Sequence, residues 1–244
     1  MQIGTIGCGV IATAVVNGIA CDGHRIVVSK RSRRHSEALS AQFDTVSVAD
    51  NQSILDTCDV IFLGLMADVA RDILAPLAFR EGQRVISFMA GVSLQELGAL
   101  VYPARAEALV LPFPGIAQGG SPVLMLGNEP LVQDIFGRSN TVYVTKSPEE
   151  MSAYLSAQAV LSPVARLVGD AADWMESKVD DTTQAEAFLR HLVASSLAST
   201  ECEALIAALN TEGGYNQRLR QHMENAGMRG DLQAGLDALD PSET

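Results

Sequence analysis

A glycine-containing turn near the start of the chain constrains the fold more than any other feature. The segment Gly7-Cys8-Gly9-Val10-Ile11-Ala12 follows an apolar stretch at 1–6 and opens an apolar helical pattern. In such a turn the first glycine permits the tight bend, the second lets the backbone approach a pyrophosphate, and the third position must be small. Ala12 supplies the small residue, and an apolar strand follows at 25–29. The pattern therefore predicts a dinucleotide-binding unit contacted by Gly7, Cys8, Gly9, Val10, Ile11 and Ala12.

Four cations follow the second predicted strand, within residues 30–34. A site for NAD(H) usually places Asp or Glu at the strand end to accept from the ribose 2′-hydroxyl, whereas this chain has Ser29 there. Lys and Arg would instead pair with a 2′-phosphate, so we predict NADP(H) rather than NAD(H), bound by Ser29, Lys30, Arg31 and Ser32. The alternatives are a solvated basic loop or a nucleic-acid patch. The formal net charge of −12 argues against nucleic acid.

Apolar runs and helical patterns alternate up to about residue 146. After the first two strands, further strands are predicted at 46–48, 59–65, 84–88, 108–111, 123–126 and 141–144. Helices are predicted between most of these strands, and Ser93 is placed to cap one of them. This alternation predicts a doubly wound parallel sheet of the Rossmann type in an α/β domain, residues 1–146.

The composition changes after residue 146, and no convincing strand follows. A long apolar helix with a kink at Pro163 is predicted first, then helices at 184–209, 216–226 and 231–239. We therefore predict an all-helical dimerisation domain at residues 147–244. The apolar surface of these helices favours packing on a second copy of the chain. The alternative is that the helices fold back onto their own sheet domain.

Cysteine and histidine positions give no sign of a metal site or a disulfide framework. The cysteines are scattered, and the histidines lack ligand spacing, so surface or capping roles are expected for His24, His35, His191 and His222. Cys8 lies where a helix N-terminus would lower its pKa, or it is simply a small residue of the turn. With no leader pattern and no long apolar segment, we expect a cytoplasmic protein that does not contact a membrane.

Several segments resemble pyrroline-5-carboxylate reductase, closely over residues 1–111 and less closely afterwards. They are the glycine turn, Ala49-Asp50-Asn51, Met89-Ala90-Gly91-Val92-Ser93-Leu94, Leu111-Pro112 and Thr211-Glu212-Gly213-Gly214. The resemblance implies an N-terminal domain that binds NAD(P)H and helical domains that interlock as a homodimer, which can assemble further. It also implies cofactor contacts at Asn51, Leu65, Met66, Ala90 and Gly91. The family's Val-Lys-Pro is Leu65-Met66-Ala67 here, which removes a cation.

The segments that bind substrate in that family are altered in this chain. Its Met-Pro-Asn-Thr-Pro is Leu111-Pro112-Phe113-Pro114-Gly115, and the glycines of its Ser-Gly-Ser-Gly-Pro are missing from 156–160. Its Ser-Pro-Gly-Gly-x-Thr is Thr211-Glu212-Gly213-Gly214-Tyr215-Asn216. Glu212 would bring a negative charge near an anionic substrate, which argues against the proline precursor itself.

The resemblance leaves Tyr215 and Asn216 as the candidate catalytic residues. Asn216 would orient a small-molecule substrate and Tyr215 would supply a proton, with Glu212 as a third candidate that pairs with a cationic imine. The alternative is that Tyr215 and Asn216 only cap the next helix. We therefore predict an NADPH-dependent reductase of a cyclic imine or related carbonyl compound. A deazaflavin-dependent NADP reductase and a non-catalytic NADP-binding sensor are the alternatives.

Overall fold

An eight-stranded sheet forms the first part of the computed structural model, which describes residues 1–239. Its strand order is β3-β2-β1-β4-β5-β6-β7-β8. The strands are β1 (Gln2–Ile6), β2 (Arg25–Ser29), β3 (Val46–Ala49), β4 (Val60–Leu63), β5 (Arg84–Ser87), β6 (Arg105–Pro112), β7 (Pro122–Gly127) and β8 (Thr141–Val144). The order reverses between β1 and β4. β2 and β3 lie on one side of β1, and the chain then crosses so that β4 and the later strands lie on its other side.

Helices cover both faces of this sheet. They are α1 (Val10–Ile19), α2 (Arg33–Gln42), α3 (Asn51–Thr57), α4 (Ala67–Leu74), α5 (Leu94–Val101) and α6 (Glu129–Phe136). On one face, α1 and α6 pack on a core around Phe62, whose ring lies 5.1 Å from that of Phe88 and 5.9 Å from that of Phe136. On the other face, apolar residues of α3, α4 and α5 pack around Ile61 and Leu63. The predicted doubly wound architecture is confirmed.

The last two strands depart from the parallel arrangement predicted for the whole sheet. β7 runs antiparallel to β6, with Pro112 opposite Val123, and β8 is parallel to β7. The connection between β6 and β7 holds only a short 3₁₀ turn, Pro114–Ala117. A parallel pair needs a crossover of about a dozen residues or more, usually with a helix, so this connection reverses the chain instead.

From β8 to residue 239 the chain forms helices and no further strand, as predicted. The helices are α7 (Pro148–Ala157), α8 (Leu161–Met175), α9 (Thr182–Ser199), α10 (Cys202–Ala208), α11 (Tyr215–Asn225) and α12 (Met228–Asp237). The predicted helix at 184–209 is in fact two helices, because Thr200 is extended. The predicted kink at Pro163 is also wrong: the break lies earlier, at a 3₁₀ turn over Gln158–Val160. Pro163 lies in the first turn of α8, where its missing N–H costs no helical hydrogen bond.

Contacts within the chain divide it into two compact units, one from Met1 to Met151 and one that begins at Ser152. The predicted domain boundary at 146/147 lies just before this division and stays a prediction. Within residues 1–239, none of the helices is both long enough and apolar enough to cross a membrane.

Candidate cofactor-binding site

The predicted cofactor residues lie along one edge of the sheet, where β1 to β5 end. The glycine turn follows β1, Ser29 is the last residue of β2 and residues 30–32 follow it, and Asn51 lies just beyond β3. The remaining four follow β4 and β5; they are Leu65, Met66, Ala90 and Gly91. Doubly wound sheets bind ligands at this edge, next to the point where the strand order reverses. The structure brings these residues together there, and their contact with a cofactor stays a prediction.

Two glycines are in contact at the point of reversal, between β1 and β4. Gly7 has a positive φ of +88°, and a Cβ added to it would lie 2.5 Å from the carbonyl oxygen of Gly64. A Cβ added to Gly64 would lie 2.6 Å from the oxygen of Gly7 and 2.8 Å from the Cβ of Ala12. All three positions must therefore be small for β1, α1 and the segment after β4 to approach this closely. Gly64 is not among the residues predicted from the sequence, although it follows a buried apolar strand just as Gly7 does.

The first turn of α1 has the donors that a pyrophosphate requires. The first helical hydrogen bond runs from the N–H of Thr13 to the oxygen of Gly9, over 2.9 Å. The N–H groups of Val10, Ile11 and Ala12 therefore have no acceptor within the helix. A Cβ added to Gly9 would meet no atom within 4 Å, so the backbone is open to a ligand at this point. Free donors, a helix dipole and open space fit the phosphates of a dinucleotide.

The glycine turn has two buried side chains at its base, those of Ser29 and Cys8. The Ser29 side chain is buried, and its Oγ accepts a hydrogen bond from the N–H of Gly7 over 3.0 Å. Cys8 is fully buried, and burial raises the pKa of its thiol despite a contact with Thr13. The pKa of Cys8 is thus not lowered by the helix N-terminus, and the burial of Cys8 agrees with the other reading, a small residue of the turn.

The basic loop after β2 is open to solvent. Lys30 and Arg31 are exposed, and neither forms an ion pair with a residue between 1 and 239. Arg33 pairs with Glu37 on the surface, at 3.1 Å. The N–H of Lys30 donates to the oxygen of Ala49 over 3.1 Å, which joins this loop to the end of β3. The charged groups of the Lys30 and Arg31 side chains therefore lie beside the glycine turn and are free to bind an anion.

The segment after β3 starts α3 with a capped first turn. Asp50 accepts hydrogen bonds from the N–H and the hydroxyl of Ser53, at 3.0 and 2.9 Å. These bonds lower the pKa of Asp50, and Lys30 lowers it further. Asn51 is the first residue of α3 and is half-buried.

The segments after β4 and β5 are apolar at the sheet edge. Met66 is 71% exposed, while Leu65 is half-buried. Ala90 and Gly91 are exposed in a turn where Gly91 has a φ of +76°. Ser93 then caps α5 as predicted, since its Oγ accepts from the N–H of Glu96 while the Glu96 carboxylate accepts from Ser93.

The segment after β6 packs against α1. A Cβ added to Gly18, in the last turn of α1, would clash with the carbonyl oxygen of Ile116. Ile116 itself is buried in the core on that face of the sheet. Phe113, at the end of β6, is half-buried. Only the small residue at position 18 indicates this contact in the sequence.

The candidate catalytic residues are in the helical unit. Tyr215 and Asn216 are the first two residues of α11, and both are exposed, Tyr215 by 89%. Gly214 occupies the N-cap position without a side-chain bond, so the alternative that Tyr215 or Asn216 caps the helix is wrong. Glu212 is exposed in the preceding turn, in which the N–H of Gly214 donates to Thr211 over 2.9 Å.

One histidine, His24, is buried although a surface position is expected from the sequence. His24 is 8% exposed, and its Nδ1 lies 3.4 Å from the terminal nitrogen of Met1. Burial and this amine lower the pKa of His24, against the opposing effect of Asp22 and Asp134. It lies before β2, at the opposite end of the strand from the cofactor edge, and the predicted surface role is wrong.

Comparisons with known proteins agree with this architecture. Residues 2–91 match the family model described as "NADP oxidoreductase coenzyme F420-dependent". No curated protein matches the sequence. Among solved structures, pyrroline-5-carboxylate reductase from Streptococcus pyogenes is 20% identical, with a TM-score of 0.83 over 99% of this chain and 97% of that chain.

Two further structures extend the comparison. The NADP-bound pyrroline carboxylate reductase of Plasmodium falciparum is 15% identical, with a TM-score of 0.81 over 99% of this chain and 96% of that chain. The NADPH-bound reductive aminase of Aspergillus terreus is 18% identical, with a TM-score of 0.61 over 88% of this chain and 78% of that chain. The resemblance inferred from the sequence is thus confirmed in the architecture: the chain has the fold of the pyrroline-5-carboxylate reductases.

Proposed function

We propose that the chain is an NADPH-dependent reductase of a C=N compound, such as a cyclic imine, or of a related C=O compound. The observation that carries this proposal is the contact of Gly7 with Gly64, beside free N–H groups and an exposed basic loop. The first turn of α1 would hold the pyrophosphate, and Lys30 with Arg31 would pair with the 2′-phosphate. The reductases and the reductive aminase of the same fold support this choice of reaction.

The bound cofactor would supply a hydride to the carbon of the C=N bond, and a proton would reach the nitrogen, which leaves an amine and NADP⁺. The chain would need to bind the imine in line with the nicotinamide and deliver that proton. Tyr215 is proposed as the proton donor and Asn216 as the group that orients the substrate. Their exposed side chains at the start of α11 support these roles.

The helical unit is proposed to form a homodimer with a second copy of itself. Few of its apolar side chains are buried; Trp174, Phe188 and Leu219, for example, are 68%, 58% and 62% exposed. A groove of about 1250 Å³ lies among α8, α11 and α12, with a mostly apolar lining that includes Leu167 and Met223. Exposed apolar surface of this extent marks an interface. Light scattering after gel filtration tests the dimer, and a monomer at micromolar concentration would overturn it.

Fluorescence titration of the purified chain with NADPH and with NADH tests the cofactor part of the proposal. We expect saturable binding of both, with NADPH bound at least about tenfold more tightly because only it carries the 2′-phosphate. A panel of imines and ketones, followed by NADPH absorbance, then tests the reaction. If neither cofactor binds, the proposal fails at its first step.

A second candidate is a deazaflavin-dependent NADP reductase, which the family match over residues 2–91 favours. That match covers only part of the sheet unit, β1 to β5, whereas the pyrroline carboxylate reductase structures cover the rest of the sheet unit and the helical unit as well. Oxidation of NADPH by a deazaflavin, with no imine present, would favour this candidate. Binding of NADPH with no turnover of any acceptor would favour a sensor. A cytoplasmic location stays a prediction.

A further inference from the structure

The eight-stranded sheet ends at two edge strands, β3 on one side and β8 on the other. Among residues 1–239, no further strand lies beside β8. Its side chains are open to solvent, since Tyr143 is 48% exposed and Val144 is 39% exposed. An edge strand presents a row of unpaired N–H and C=O groups, which can pair with another extended chain. β8 is therefore a surface to which a strand can be added.

The hydrogen bonds of β8 show which of its backbone groups are available. The N–H groups of Thr141 and Thr145 donate over 3.1 and 2.8 Å to carbonyl oxygens in or next to β7. Along a parallel strand, successive residues direct their backbone groups alternately to the two sides. Tyr143 therefore turns its N–H and C=O toward β7, like Thr141 and Thr145. Val142 and Val144 direct theirs to the open side.

The other edge strand, β3, is poorly suited to pairing with a second copy of itself. The N–H of Lys30 donates to Ala49 of β3, so Ser47 also turns its backbone groups toward β2. An antiparallel pair of two β3 strands would then have its two-fold axis at Ser47. In that register Asp44 of one copy lies opposite Asp50 of the other. Like charges directly opposite each other destabilise a strand pair.

Charge at the two ends of β8 favours such a pairing instead. The strand and its flanks at 139–145 contain no charged residue. Arg138 precedes them, and its side chain is 73% exposed although it pairs with Asp22 at 3.6 Å. The segment 146–150 follows them with one lysine and two glutamates, a net charge of −1. An antiparallel pair would place the positive flank of each copy beside the negative flank of the other, so two β8 strands are complementary.

We infer that β8 pairs with β8 of a second copy of the chain, antiparallel and with the two-fold axis at Tyr143. In this register Val142 exchanges its N–H and C=O bonds with the partner's Val144, and Val144 does so with the partner's Val142. The two Tyr143 side chains lie directly opposite each other, as an aromatic cross-strand pair. The sheets of the two copies thereby join into one continuous sheet.

This contact uses the sheet unit alone and does not depend on the reductase function or on the dimer proposed for the helical unit. Each of the two contacts joins a pair of chains by a two-fold axis. A chain that forms both contacts would therefore assemble beyond a dimer.

Disulfide cross-linking tests the pairing and its register. Tyr143→Cys is made in the full chain after the exposed Cys21 and Cys202 are changed to Ser, and cross-linked chains are counted on a denaturing, non-reducing gel. Two residues opposite each other at the axis have Cα atoms about 4.5 Å apart, within the range of a disulfide. Thr141→Cys is the matched control, because its two copies would lie about 13 Å apart along the strands.

We expect Tyr143→Cys to cross-link at least about tenfold faster than Thr141→Cys under the same oxidant. Equal rates would mean random collision of exposed thiols and would overturn the inference. Absence of cross-links in both variants would also overturn it, and would leave the edge to an extended peptide of another protein.

A proline separates backbone pairing from contact between side chains. Val144→Pro, added to the Tyr143→Cys chain, removes an N–H that points away from β7, so the bonds between β7 and β8 remain. We expect cross-linking to slow by about fivefold or more, because each copy loses a donor to the other. Val48→Pro, the same change on β3, is the control and should leave the rate unchanged. A chain with Val144→Pro that keeps the circular dichroism spectrum of its parent and cross-links as fast would overturn the pairing of strands.

Discussion

Ser29 Oγ accepts a hydrogen bond from the N–H of Gly7 over 3.0 Å, so the end of β2 is tied to the turn that follows β1. Ser29 takes the place where a site for NAD(H) usually has a carboxylate. The structure gives it a second task, because a buried hydroxyl is engaged with the glycine turn and is turned away from solvent. The residue that suggested the cofactor therefore also supports the backbone that would bind it.

Ser29→Ala should lower the free energy of unfolding by about 1 to 2 kcal/mol, because the N–H of Gly7 loses its partner. NADPH binding should weaken as well, since the turn is less well held. Urea unfolding and fluorescence titration measure the two effects. Ser47→Ala, on the exposed surface of β3, is the matched control and should change neither. A Ser29→Ala protein as stable as the wild type would show that the bond contributes nothing.

Gly64→Ala and Gly9→Ala should separate folding from binding. An added Cβ at Gly64 meets the backbone of Gly7 at 2.6 Å, which requires β1 and the segment after β4 to move apart. We expect a loss of roughly 2 kcal/mol or more in unfolding free energy, as for overpacking in a core. At Gly9 the Cβ meets nothing within 4 Å, so stability should hold while NADPH binds about tenfold more weakly. Unfolding curves and Kd values, measured on both variants, decide this, and equal behaviour of the two would contradict it.

Reversal of the charges at Lys30 and Arg31 to Glu should weaken NADPH selectively. Two exposed ion pairs of about 1 kcal/mol each correspond to a change on the order of 30-fold in Kd, larger at low salt. NADH lacks the 2′-phosphate and should bind almost as before. Arg105→Glu reverses an exposed charge at the start of β6, on the opposite edge, and serves as the control. An unchanged ratio of the two affinities in the double variant would mean that the loop is only a solvated surface.

Gln83→Ala should destabilise the sheet unit without an effect on cofactor binding. The Gln83 side chain is 1% exposed; its Nε2 donates to the oxygens of Leu55 and Cys58 at 2.7 and 2.9 Å, and its Oε1 accepts from the N–H of Arg80 at 2.6 Å. Loss of these bonds should cost about 2 kcal/mol. The urea midpoint should fall at constant slope while the Kd for NADPH stays the same, because Gln83 precedes β5 and lies at the opposite edge. Gln42→Ala, exposed at the end of α2, is the control.

The cap of α5 should make stability depend on pH in the acid range. Hydrogen bonds from the N–H and then the hydroxyl of Ser93 hold the pKa of Glu96 below its ordinary value. A lowered pKa in the folded state contributes stability that is fully present above the unfolded-state pKa and is lost as pH falls through the folded-state pKa. Wild type should therefore exceed Glu96→Gln in unfolding free energy near neutral pH, and the difference should shrink on acidification below that ordinary value. A difference that does not change with pH would rule out the charge as its source.

Local patterns predicted most of the sheet unit, because strands, caps and the glycine turn depend on residues close in sequence. The sequence predicts Ser93 as a cap, and the small residues Gly7 and Ala12 indicate the turn at the point of reversal. The sequence pattern does not predict the direction of β7, because the apolar pattern of a strand is the same in both directions. Only the short connection at 113–121 decides it.

Features that need distant partners were the ones that the sequence did not predict. Gly64 matters because it contacts Gly7, which follows the neighbouring strand β1, and the buried His24 has its Nδ1 3.4 Å from the terminal nitrogen of Met1. For the candidate site, the cofactor residues could be found because each follows a strand. Tyr215 and Asn216 belong to the other compact unit, so no spacing along the sequence relates them to the rest of the site.

The packing of Gly18 against Ile116 has a consequence for the affinity of the candidate site. α1 begins at the open donors beside Gly9 and ends against the segment that follows β6, and Ile116 is buried in the same core. The helix that would receive the phosphates is therefore held at its far end before any ligand arrives. The conformational entropy of the N–H donors at the start of α1 is therefore lost when the chain folds and not when a ligand binds. A dinucleotide would bind to donors that are already in place.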